Sequence, residues 1–65
     1  MVENELFADY PDVMSVKQIK EALSISRLGV YKLLKAGEIK SFMIGNTYKI
    51  PKTALIEYVM KNTKI

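Results

Sequence analysis

Long cationic side chains recur at helical spacing in the middle of the chain. Lys32 and Lys35 follow Leu28 at i+4 and i+7, and Arg27 stands directly before that set. Residues with this spacing share one face of a helix. An ammonium group can hold a phosphate, and a guanidinium can also donate two hydrogen bonds to a guanine edge. The pattern indicates a candidate surface for a polyanion, and a merely solvated helix face would show the same spacing.

Apolar and aromatic side chains interrupt this cationic face. Leu28 could touch a thymine methyl group, whereas the ordinary alternative is an isolated surface leucine. Tyr31 could donate a hydrogen bond to a phosphate, but packing of its ring against a neighbouring element is the favoured interpretation. Further along the chain, the remaining candidate binding residues are Lys40, Asn46, Thr47 and Lys49.

The distribution of charge supports a polyanion partner better than the total does. The 65 residues carry ten bases and seven acids, for a formal charge of +3. Four acids and no base fall in the first 14 residues, so the rest of the chain carries +7. A small basic domain suggests a polyanion partner, most often nucleic acid, and a soluble surface with an excess of lysine would give the same count.

Several chemistries are excluded or disfavoured by residue type. The chain has no cysteine and no histidine. The common zinc, iron–sulfur and haem ligand sets, the commonest general base and the thiol nucleophile are therefore missing. The acids are scattered, and no glycine-rich phosphate loop occurs. We expect neither an enzyme, a metal site nor a cofactor.

Length and hydropathy point to one small domain inside the cell. Sixty-five residues allow a single domain. No apolar run approaches the roughly 20 residues of a membrane helix, and the acidic start is unlike a secretory signal. The expected location is the cytoplasm, with no membrane partner.

Two short helices are predicted in the first half of the chain. Ser15 and Gln18 fit a capping box that opens a helix over 16–23. Ser26 is a second N-cap, and a helix over 27–36 ends before Gly37, which is placed on its buried face at i+7 from Val30. Two helices joined by a three-residue turn fit the helix-turn-helix pattern.

The apolar period changes to two over residues 39–50, which predicts a hairpin around Gly45 and Asn46. A two-residue loop would pair Ile44 with Thr47 and mix apolar with polar side chains. A three-residue loop pairs Ile44 with Tyr48, and likewise Phe42 with Ile50. Because cross-strand partners share a face, the three-residue loop is preferred.

A third helix is predicted from Pro51 to about residue 61. Its core face consists of Ala54, Leu55, Tyr58 and Val59. Ordinary packing is favoured over contact with another copy or a partner protein for the additional apolar residues Ile56, Met60 and Ile65. Residues 1–13 are predicted to form an acidic arm, and residues 14–62 the domain.

This order of elements resembles the excisionase-type, MerR-like DNA-binding domains of bacterial mobile elements. The segments that carry the resemblance are MSVKQIKEAL (14–23), SR (26–27), VYKLLKAGEI (30–39), FMIG (42–45), YKIP (48–51) and AL (54–55). The resemblance implies an α+β winged helix-turn-helix with helix 27–36 in the major groove and wing 39–50 in the minor groove. The chain departs from the family at Met43, Asn46 and Thr47, where arginine is usual, and at Ser24, where glycine is frequent.

The resemblance also implies a partner and a role. The partner is double-stranded DNA in the bacterial nucleoid, and the role is that of a recombination directionality factor acting with an integrase. A small transcriptional regulator of a mobile element is the nearest alternative, and a protein-binding adaptor on the same scaffold is the alternative from another class. One such domain has a small interface, so specific binding needs either several copies that associate cooperatively on adjacent sites or a partner protein.

Overall fold

A computed structural model describes residues 7–63 of the chain. The first two helices are α1, Val16–Leu23, and α2, Arg27–Lys35. Ser15 opens α1 with the predicted capping box, in which the Gln18 amide donates to the serine hydroxyl and the Gln18 side chain accepts from the Ser15 amide. These reciprocal bonds satisfy backbone donors that the first turn of a helix leaves free.

The turn between the helices also follows from local chemistry. Ser26 caps α2, since its hydroxyl accepts a 3.0 Å hydrogen bond from the Gly29 amide. At the other end, Ala36 is the C-cap and Gly37 adopts φ 76°. Gly37 is exposed beyond the helix end, so its predicted place on the buried face is wrong; only the stop signal is confirmed.

Three antiparallel strands form one small sheet. They are β1, Val13–Met14, β2, Phe42–Ile44, and β3, Thr47–Pro51, in the spatial order β1-β3-β2. β2 and β3 form the hairpin wing, and the chain is a small α+β winged helix-turn-helix, as predicted. The strand β1 is an addition that the sequence pattern did not predict, because two residues carry no readable period.

The hairpin has a different register from the preferred one. Ile44 pairs with Thr47 across a two-residue loop, and Phe42 pairs with Lys49. Gly45 takes φ 61°, which suits the first position of a II′ hairpin turn. The prediction failed because it assumed that all four apolar strand residues are buried together. Met14, paired with Ile50, fixes the core face instead, and Phe42 and Ile44 point to the other side.

The third helix, α3, spans Lys52–Asn62, with Pro51 as its N-cap rather than its first residue. Leu55 is fully buried, and the other predicted core residues of this helix are partly buried against the core. Ile56 is buried, Met60 is exposed, and Ile65 lies outside the described residues. The core cluster consists of Met14, Val16, Ile19, Val30, Leu34, Ile39, Ile50 and Leu55.

The segment before the helix-turn-helix packs on the body of the protein. The rings of Phe7 and Tyr10 are arranged edge to face, with their centroids 6.2 Å apart, and both residues pack against the core. The Lys52 side chain donates a 3.0 Å hydrogen bond to the carbonyl of Tyr10 and lies 3.8 Å from the Asp12 carboxylate. Between residues 7 and 63 no helix has the length and apolarity needed to cross a membrane.

Candidate nucleic-acid interface

The three cations of α2 are exposed. Val30 and Leu34 turn into the core, Lys32 and Lys35 lie on the opposite face, and Arg27 is exposed at the first residue of the helix, at i−3 from Val30. Arg27 stands at the first turn and Lys35 at the last, so the cations extend along the whole element. None of these three lies within 4.0 Å of a carboxylate from the described part of the chain. Their charges are therefore available to an external anion.

Leu28 lies on the same face of α2 as Lys32 and Lys35, and its side chain is exposed to solvent. Its side chain is 65% exposed, the largest fraction among the exposed large hydrophobic residues. Burial of such a side chain against a partner would remove apolar surface from water, at about 25 cal/mol per Å². Leu28 is therefore an exposed apolar side chain on the same face as Lys32 and Lys35.

An aromatic contact joins α2 to the wing. The rings of Tyr31 and Tyr48 lie 5.7 Å apart with planes inclined by 57°. Both residues are half-buried, and both pack against the core cluster. Tyr31 thus makes the packing contact that the sequence favoured.

The other four candidate residues lie in the wing, either in strand β3 or in the loops next to its strands. Asn46 is in the turn and Thr47 directly follows it, and both are exposed. Lys49 is partly buried opposite Phe42, and Lys40 is exposed ahead of β2. The candidate residues therefore divide into a helix set and a wing set, with Tyr31 between them.

Three exposed apolar residues of β2 are not among the binding residues predicted from the sequence. Phe42, Met43 and Ile44 are all exposed, at 44%, 50% and 59%. The signal that could have identified them is the two-residue loop, which turns Phe42 and Ile44 away from the core. The sequence pattern disfavours that register because it mixes apolar with polar partners.

Comparison of the sequence with known proteins identifies a family to which the chain belongs. A protein from Saccharopolyspora erythraea described as "Probable excisionase" is 33% identical over 49 residues, which cover 75% of this chain and 50% of that protein. The chain thus spans about half the length of the curated relative that it matches. No solved structure gives a significant match. The profile of the family described as "Helix-turn-helix domain" matches residues 13–63, so the chain belongs to the helix-turn-helix domain family.

Proposed function

We propose that the protein binds specific sequences in double-stranded DNA and acts, without enzymatic activity, as an excisionase-like recombination directionality factor. The observation that carries the proposal is the solvent face of α2. There, Leu28, Lys32 and Lys35 are exposed opposite a buried face, on the second helix of a helix-turn-helix, and Arg27 is exposed at the start of that helix. In that motif the second helix enters the major groove.

Each side chain of this face has a role that suits its chemistry. Arg27, at the helix start, donates to a guanine edge or clamps a phosphate, because its planar fork fits either acceptor. Lys32 and Lys35 contact phosphates, and Leu28 contacts a thymine methyl. The wing, with Lys40 at its base and Lys49 within β3, reaches the adjacent minor groove and its phosphates.

The excisionase role is supported by the similarity to the protein from Saccharopolyspora erythraea. In that role the protein would act beside an integrase and bind as several copies on adjacent sites, since one domain of this size has a small interface. A transcriptional regulator of a mobile element would use the same DNA-binding surface. The two are separated by an excision assay with the neighbouring recombinase, in which a directionality factor raises the yield of excision products.

The direct test of DNA binding is a footprint on the DNA that flanks the gene, with and without the recombinase. We expect protection of a short site by micromolar protein at low salt. Five cations are available to phosphates, namely Arg27, Lys32, Lys35, Lys40 and Lys49. If all five form contacts, the slope of log K against log salt is about −4 to −5. Absence of protection on every tested duplex would refute the proposal.

A matched pair of variants locates the surface. Lys35 and Lys61 each stand in the last turn of a helix, and both are exposed. Replacing either lysine removes the same favourable interaction with a helix C-terminus. Lys35→Ala should flatten the salt slope by about 0.9, whereas Lys61→Ala should leave it unchanged. If the protein is instead an adaptor that binds only protein, it will bind no duplex. In that case the double variant Lys32→Ala with Lys35→Ala will still bind the protein partner.

A further inference from the structure

The strand β2 consists entirely of exposed apolar residues. Phe42, Met43 and Ile44 expose 44%, 50% and 59% of their surface. Single apolar residues are common on protein surfaces and need no explanation. Three in succession on the edge strand of a hairpin, in a chain of 65 residues, expose apolar surface on both sides of that strand, and concentrations of exposed apolar surface mark contact sites.

Both faces of the hairpin are apolar beside the turn. Met43 pairs with Tyr48, and Tyr48 contacts Tyr31, so Met43 lies on the side of the wing that faces α2. Ile44 pairs with Thr47 and lies on the opposite side. Because neighbouring residues of a strand alternate between faces, the end of the wing is a wedge with an apolar side chain on each side.

Cations flank this wedge rather than cap it. Lys49 is the cross-strand partner of Phe42, and Lys40 stands two residues before β2, so both ammonium groups belong to the base of the wing. A minor groove has phosphates along its edges and stacked bases at its floor, which matches cations at the base of the wing and apolar side chains beside its turn. The wing is also continuous with the solvent face of α2 through the Tyr31–Tyr48 contact.

We infer that Met43 and Ile44 form an apolar wedge that enters the DNA minor groove and partly unstacks one base step. This inference rests on the proposed DNA-binding function. Apolar side chains inserted between base pairs kink the duplex toward the major groove. Pyrimidine–purine steps unstack most easily, so the wedge selects such a step without hydrogen bonds to base edges. The contact takes the place of a cationic grip and adds little to the salt dependence.

The experiment uses the full chain and a duplex selected for binding from a random pool. A series of these duplexes carries 2-aminopurine at successive positions on the side of the site reached by the wing, because its fluorescence rises when the base unstacks. The test variant is Met43→Ser with Ile44→Ser. The control is Val13→Ser, since Val13 is 48% exposed on β1, at the other edge of the sheet. Thermal melts verify that each variant is folded.

We expect the unaltered protein to raise the fluorescence at one step. The double serine variant should abolish that rise and weaken binding about tenfold with an unchanged salt slope, because two apolar side chains stay in water. The control should behave like the unaltered protein.

Duplex binding without a fluorescence rise at any position would overturn the wedge and leave the proposed function intact. A failure to bind any duplex would overturn both. If the double variant still unstacks the step but no longer loads a second copy, the apolar strand contacts protein and the inference is wrong.

Discussion

Ser24 occupies a backbone conformation that favours glycine. Its φ is 55° and its ψ 44°, in the left-handed region, directly after α1. The conformation lets the Ile25 amide donate to the carbonyl of Lys20 at 3.2 Å, which closes the helix and directs the chain into α2. The glycine that is frequent here in the related domains is explained by this angle. The side chain of Ser24 is exposed, so the backbone alone determines which residue fits best.

Ser24→Gly should therefore stabilise the protein. A residue with a Cβ atom pays roughly 1 kcal/mol in the left-handed region, and glycine does not, although it loses more entropy on folding. We expect the free energy of unfolding in urea to rise by about 0.5 kcal/mol. Ser24→Ala is the control, because it keeps the Cβ atom and should change little. A lower stability for the glycine variant would show that the turn is unstrained.

At the scale of elements, the sequence predicted what short-range chemistry determines. Both N-caps, the extent of α1 and the solvent face of α2 depend on residues within one or two turns of each other. The register of β2 and the strand β1 depend on partners far along the chain. Once Met14 and Ile39 fill the core beside Ile50, Phe42 has no place in it, and pairing apolar with apolar no longer selects the register.

The same division applies to the candidate interface. Helical spacing was sufficient to place Leu28, Lys32 and Lys35 on one exposed face, with Arg27 at the start of the same helix. The apolar end of the wing was missed because its orientation depends on the loop length, and a shift of one residue moves every side chain to the other face. Whether these residues contact DNA stays a prediction, tested by the variants above.

The Tyr31–Tyr48 contact joins the wing to α2 and should contribute to the free energy of unfolding. Aromatic pairs of this geometry contribute about 0.5–1.5 kcal/mol beyond the area that they bury. We expect a double-mutant cycle of Tyr31→Ala and Tyr48→Ala, measured by urea unfolding, to give a coupling free energy in that range. A cycle of Tyr31→Ala and Phe42→Ala is the control. Phe42 lies on the opposite face of the wing from Tyr48, so its coupling should be near zero.

At the scale of the molecule, the first described residues join elements distant in sequence. Val13 pairs with Pro51, and the backbone amide of Lys52 donates a 2.7 Å hydrogen bond to the carbonyl of Asp12. The Lys52 side chain, 17% exposed, adds its bond to the Tyr10 carbonyl. The start of α3 is thus held by the segment that precedes α1. The boundary that the sequence predicts after residue 13 stays a prediction, and truncation tests it.

A chain that begins at residue 14 should be less stable than one that begins at residue 7, by about 3 kcal/mol, because it loses two half-buried aromatic rings and the contacts of Lys52. Domains of this size have roughly 3–10 kcal/mol in total. The shorter chain should therefore melt at a much lower temperature and over a broader range, while the longer chain keeps a cooperative transition. Coincident melting curves would mean that the arm only rests on the domain. The melting curves are measured without DNA and repeated at high salt. High salt screens the charges of Asp9 and Asp12, so their removal then has little effect on stability, and the remaining difference reports the lost packing.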